Sequence, residues 1–148
     1  MIQLAIKIAL ILARQFEGCF LTPYLCPAGV PSIGYGSTRY LDGTSVQLTD
    51  SPITKAYAEH MLVMSVYTTY LPAVLRLCPN IDSPERLAAI IDFTYNLGSS
   101  RLRSSTLRKR ILVGAWDMVP DELMKWVNGG GRKLRGLELR REAEASLI

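Results

Sequence analysis

Histidine is almost absent from this chain: among 148 residues, His60 is the only one. A histidine-based catalytic triad and a zinc site of the usual Cys/His kind are therefore not expected, and His60 itself reads as a helix-surface residue. Cysteine is scarce too. The three cysteines, Cys19, Cys26 and Cys78, form no Cys-x-x-Cys pair and are too few for a disulfide-built scaffold. Their odd number leaves at least one thiol unpaired within the chain. No apolar run reaches the ~20 residues that a bilayer span requires. The longest, Met1 to Ala13, is interrupted by Lys7 and lacks a basic leader and a small-residue cleavage site. With Gln3, Lys7 and Arg14 on one helical face, a mostly buried helix is expected there. Lysines and arginines nowhere alternate with stacking aromatics, so a nucleic-acid partner is not expected. Internal repeats and low-complexity linkers are missing as well. Only Gly129-Gly130-Gly131 looks flexible, and it is too short to separate domains.

What is present suits one ordinary globular domain over residues 1–148, with 49% apolar and 20% charged residues. A net charge of +4 favours anionic partners, among them a bacterial wall bearing peptide carboxylates. A first helix is predicted to end at Glu17, with Gly18 as the exit residue. A small sheet with turns at Pro27–Gly29 and Asp42-Gly43 follows, and Pro23 confines its strand to an edge. Thr54 reads as the cap of a long helix reaching about Leu71, where Pro72 should break or kink it. Ser83-Pro84 opens another that ends at Gly98. Ser105 caps a third closing at Gly114, Pro120 opens a fourth ending before Asn128, and Leu137–Ile148 forms the last.

The chain is organised around Glu17 to Gly36, EGCFLTPYLCPAGVPSIGYG. A helix that ends on a carboxylate and passes at once into a glycine-rich hairpin gathers an acid, a thiol and a hydroxyl at one cleft: Glu17, Cys26 and Ser32. A carboxylate at a helix C-terminus opposes the helix dipole, so its place there wants a functional reason. A carboxylic acid in a partly apolar cleft can stay protonated and donate to a leaving oxygen. A cysteine thiolate can attack carbon or, less well, activate water, although most free cysteines are simply small buried apolar residues.

This stretch resembles the phage-type lysozymes, the glycoside hydrolase family 24 endolysins, whose motif is Glu, eight residues, Asp or Cys, five residues, Thr. Glu17 and Cys26 fit, Ser32 stands where Thr is usual, and Gly18, Leu21, Tyr24, Gly29 and Gly34-Tyr35-Gly36 are in register. Further on, Tyr95-Asn96-Leu97-Gly98, Ser104 to Leu107, Trp126 and the GGGRKLRGLELRREAE tail are similar too. The resemblance implies an α+β, lysozyme-like fold: a sheet lobe at about 18–50 and a helical lobe at about 73–148, joined by a long helix. It also implies cleavage of the β-1,4 bond between N-acetylmuramic acid and N-acetylglucosamine in peptidoglycan, with no metal or organic cofactor. Glu17, Cys26 and Ser32 would be catalytic. Arg140 and Arg141 would support them; one can bond Glu17 but two adjacent helix residues cannot both face it, and a solvent-facing arginine paired with Glu144 is an equally good reading. Asn96 is expected to bond backbone, and Trp126 to anchor the core. A Cys19–Cys26 bridge would occupy the catalytic thiol until thiol exchange, as in caged relatives. The implied setting is a monomer with no stable membrane span, held in the host cytoplasm and reaching the wall once a phage pore opens the membrane. Two alternatives stay open: a lytic transglycosylase acting on the same bond, and a catalytically weak wall-binding protein with the same fold.

Overall fold

The computed structural model describes residues 1–148. Helix α1 (Ile2–Glu17) buries Ala5, Ile6, Ala9, Leu10 and Ala13, spaced three and four apart, and ends at Gly18. Only part of the apolar run is covered, for Leu4 is 48% and Ile11 60% exposed. The expected mostly buried helix is thus buried along one face. Strands β1 (Phe20–Leu25) and β2 (Pro31–Gly34) pair antiparallel, with Tyr24 opposite Ser32 and Leu25 opposite Pro31. The register slips between Phe20 and Tyr24, where Pro23 has no N–H to give the ladder.

Helix α2 (Lys55–Ser65) starts on Thr54, whose side chain accepts from the Tyr57 amide at 3.1 Å. It does not stop at Pro72. A single wide turn, Val66–Tyr70, in which the Leu71 amide reaches back five residues to the Val66 carbonyl, carries the chain into α3 (Leu71–Leu77). Pro72 offers no N–H and its ring crowds the preceding turn, so the helix widens there instead of breaking. Helix α4 (Pro84–Leu97) is capped by Ser83, which accepts from the Arg86 amide at 3.1 Å, and ends at Gly98 as its sequence predicts. Leu87 to Thr94 are all buried, placing α4 through the centre of the helical lobe. Helix α1 packs along it.

The chain closes with α5 (Ser99–Ser104), α6 (Thr106–Leu112), α7 (Val119–Leu123) and α8 (Arg135–Ala145). Helix α5 was not expected from the sequence. Nor is the glycine run loose: β3 (Asn128–Gly129) and β4 (Arg132–Lys133) form a tight hairpin. Gly130 (φ 59°) and Gly131 (φ 78°) supply the two left-handed residues that such a turn demands. Trp126 packs edge-on against Phe93, a core anchor as anticipated, and His60 is exposed on α2.

Candidate active site

Between the hairpin and the helical lobe runs a groove of about 590 Å³, and Glu17, Cys26 and Ser32 all line it. Tyr24, Tyr95 and Asn96 are among the other residues of its wall. Helix α1 delivers Glu17 from one side, while on the other Cys26 follows the last residue of β1 and Ser32 is the second residue of β2. Tyr95 locks the two sides together, its hydroxyl donating to the Tyr35 carbonyl at 2.6 Å.

Glu17 is held from behind. Its Oε1 accepts from Arg140 Nη1 at 2.5 Å, and its side chain remains 21% exposed. The other oxygen, Oε2, faces the Gly36 backbone. A Cβ at Gly36 would lie 3.3 Å from Oε2 and 4.0 Å from the Tyr24 hydroxyl. A cation thus stands beside the acid where the sequence suggested a partly apolar slot. That cation is shared, because Arg140 presents Nε and Nη2 to the two Asp92 oxygens at 2.8 Å each. Both residues are buried, a two-pronged arrangement that fixes the guanidinium plane. Burial works against charge on Arg140, but the Asp92 bonds and the charges of Asp92 and Glu17 outweigh it and keep the guanidinium ionised.

Arg141 points elsewhere. Its Nη2 donates to Asn96 Oδ1 at 3.0 Å and to Glu144 Oε1 at 2.6 Å, deep inside the lobe. One arginine therefore meets Glu17 and the other does not, as helix geometry requires. Neither is solvent-facing, which corrects that reading of the pair. Asn96 takes a side-chain partner rather than a backbone one.

The loop from Cys26 to Val30 closes on itself, with the Cys26 amide donating to the Val30 carbonyl at 3.0 Å and the Gly29 amide to Cys26 at 2.8 Å. Its amides surround the sulfur. The Cys26 thiol is pulled below the ordinary thiol range, chiefly by the Val30 N–H; partial burial opposes this, and the Ala28 N–H and Ser32 hydroxyl add to it. Ser32 is itself buried and donates to the Val30 carbonyl at 3.1 Å. Cys78 is the opposite case, its thiol pushed up to about 11 by burial in the core. All three cysteines are free thiols here. Cys19 packs at the edge of the main core, close to Tyr35, while Cys26 lines the groove.

These environments rank the thiols. Under a modest excess of iodoacetamide, Cys26 is expected to react first and Cys78 only on unfolding, as read by peptide mass mapping. The Cys26 rate should rise with pH around a midpoint below that of a free thiol. Ser32→Ala should move that midpoint upward, since one of the groups favouring the thiolate is lost.

Asp92 went unnoticed in the sequence, though its setting was a signal. A lone carboxylate in Leu87-Ala88-Ala89-Ile90-Ile91-Asp92-Phe93 must meet a buried cation. Tyr24 and Tyr95 stand in the matching motifs, but nothing in their spacing placed their rings on the groove wall. Burial, then the charges of Glu17 and Cys26, push the Tyr24 hydroxyl up, so it stays a donor facing the groove.

A family model described as phage lysozyme matches residues 14–144. An endolysin of Acyrthosiphon pisum secondary endosymbiont phage 1 is 33% identical over 144 residues, 94% of this chain and 93% of that protein. A SAR-endolysin of Escherichia phage Mu is 29% identical over 140 residues, covering 90% and 74%. Among solved structures, an endolysin from Escherichia coli O157:H7 phage FAHEc1 superposes with a TM-score of 0.82 at 30% identity, over 95% of this chain and 90% of that one. A hairpin bearing Cys26 and Ser32 opposite a helix-end glutamate, the match along the chain and the shared fold agree: this protein belongs to the phage lysozyme family.

Proposed function

We propose that the protein is an endolysin that hydrolyses the β-1,4 bond between N-acetylmuramic acid and N-acetylglucosamine, breaking the wall for host lysis. The observation that carries this reading is the single groove lined by Glu17, Cys26 and Ser32. Glycoside hydrolysis needs a proton for the leaving oxygen and a second group facing the anomeric carbon. Glu17 Oε1 is engaged by Arg140, so Oε2, facing the groove beside Gly36, carries the proton to the glycosidic oxygen. Positive charge then builds on the sugar ring. Cys26, eased toward the thiolate by its loop amides, meets that charge and either orients the water that attacks the anomeric carbon or attacks that carbon itself. In the second case water then breaks the carbon–sulfur bond, and on both routes Glu17 takes up the water's proton. Ser32 steadies the sulfur and the water.

Arg140 acts through Glu17, and Asp92 through Arg140; both are positioning residues. Gly36 keeps the approach open. Its φ of 85° suits only glycine, and a methyl there would press on Oε2. Gly36→Ala is accordingly expected to cost about 1–2 kcal/mol of stability from backbone strain and to lower activity beyond what the stability loss explains. Thermal melts beside initial rates below the melting range check this.

The test of the reading is reducing-end release from purified peptidoglycan, with and without reductant. Release by the wild type supports the enzyme over a wall-binding protein. Faster release with reductant would indicate a caged thiol, as a Cys19–Cys26 bridge implies; equal release would leave Cys26 free throughout. The family resemblance suggests a monomer held in the host cytoplasm until the membrane opens.

A further inference from the structure

The groove does not end at the catalytic groups. A side pocket of about 330 Å³ adjoins it and shares four lining residues with it, Ser37, Arg39, Ser65 and Thr69. Leu41, Met61 and Met64 line the part beyond. Arg39 therefore stands at the junction, and it is the only cationic residue on the wall of either cavity. Its Nη1 donates to the Gly43 carbonyl at 2.9 Å, which braces the guanidinium against the sheet-lobe turn. No carboxylate neutralises it. Asp42, the nearest acid in sequence, is turned to the Thr44 amide at 2.9 Å and the Thr44 hydroxyl at 2.6 Å. A braced, unpaired guanidinium opening onto a methionine-lined pocket suits a ligand with a carboxylate beside small apolar groups.

We propose that Arg39 and this side pocket form a subsite for the acidic peptide branch that the muramic sugar carries on its lactyl group. The proposal rests on the muramidase reading and deepens it. The sugar rings themselves are neutral and offer the guanidinium nothing to pair with. The peptide branch supplies a free carboxylate and alanine methyls, for Arg39 and for Leu41 and the two methionines respectively. Arg39 is then a specificity residue. It selects peptide-bearing strands and helps decide which bonds along a strand are presented to Glu17.

The test uses Arg39→Gln beside the wild type on two substrates: intact peptidoglycan, and the same peptidoglycan with its peptide carboxylates converted to amides by carbodiimide and ammonia. Wild type should prefer intact strands, and the variant should lose that preference about tenfold, through KM more than kcat, as one exposed charge-assisted contact allows. An equal fall on both substrates, or no change in the preference, overturns the subsite. A binding arm is independent of turnover: titration with N-acetylmuramyl-L-alanyl-D-isoglutamine and with its carboxamide form. The wild type should bind the acid more tightly than the amide, and Arg39→Gln should bind both alike. If no protein releases reducing ends, the muramidase reading fails on its own. If acid and amide bind the wild type equally, the subsite fails whatever the activity.

Discussion

Glu17→Gln should reduce reducing-end release from peptidoglycan by about 10²–10⁴-fold, the range that a positioned general acid supplies. Glutamine keeps the shape and leaves an oxygen to accept from Arg140, so the fold should hold. What is lost is the transferable proton on Oε2, the oxygen facing the groove. Melting within a few degrees of wild type, with clearing of a wall suspension abolished, is the expected pair of results. Equal clearing by variant and wild type would remove Glu17 from the mechanism.

Arg140→Met should produce a large stability loss. Arg140 is 3% exposed and makes two bonds at 2.8 Å to Asp92, itself 1% exposed. Methionine fills much of the space but leaves the Asp92 charge buried with no partner, which costs about 3–5 kcal/mol. That is a large share of the ~5–15 kcal/mol that holds an ordinary domain folded. Activity should fall with it, because Glu17 loses the contact that fixes its carboxylate. The two effects separate in the double variant Arg140→Met, Asp92→Asn. Removing the orphaned charge should restore a good part of the stability, as read by urea denaturation. It should not restore the rate, because Glu17 remains unheld. Recovery of both together would mean that Arg140 serves the fold alone.

The sequence was most informative where local chemistry decides the outcome. Thr54, Ser83 and Ser105 each cap the helix that follows, and their side chains accept from the amide three residues on. Glu17, Cys26 and Ser32 lie within sixteen consecutive residues, so a helix and one hairpin suffice to gather them. Where the answer depended on distant partners, the sequence was silent. Asp92 and Arg140 are 48 residues apart, and nothing local tells an arginine on a polar helix that a buried carboxylate awaits it. For that reason Arg140 and Arg141 read equally well as solvent-facing. Pro72 acts in another way, with the helix distorted before it and not ended by it. The rule that proline ends a helix is a statement about a regular ladder, and a wide turn just before it escapes the rule. Composition alone cannot distinguish a loose segment from a tight reversal, so the triple glycine reads as slack in the sequence and folds as a hairpin turn.

The alternative that best survives this geometry is a transglycosylase, which needs Glu17 and no second group. Mass analysis of the fragments that the wild type releases from purified peptidoglycan therefore tests the account most directly. Hydrolysis yields fragments that have each gained one water and end in a reducing N-acetylmuramic acid. Fragments ending in an anhydro sugar, with no water gained, would contradict it.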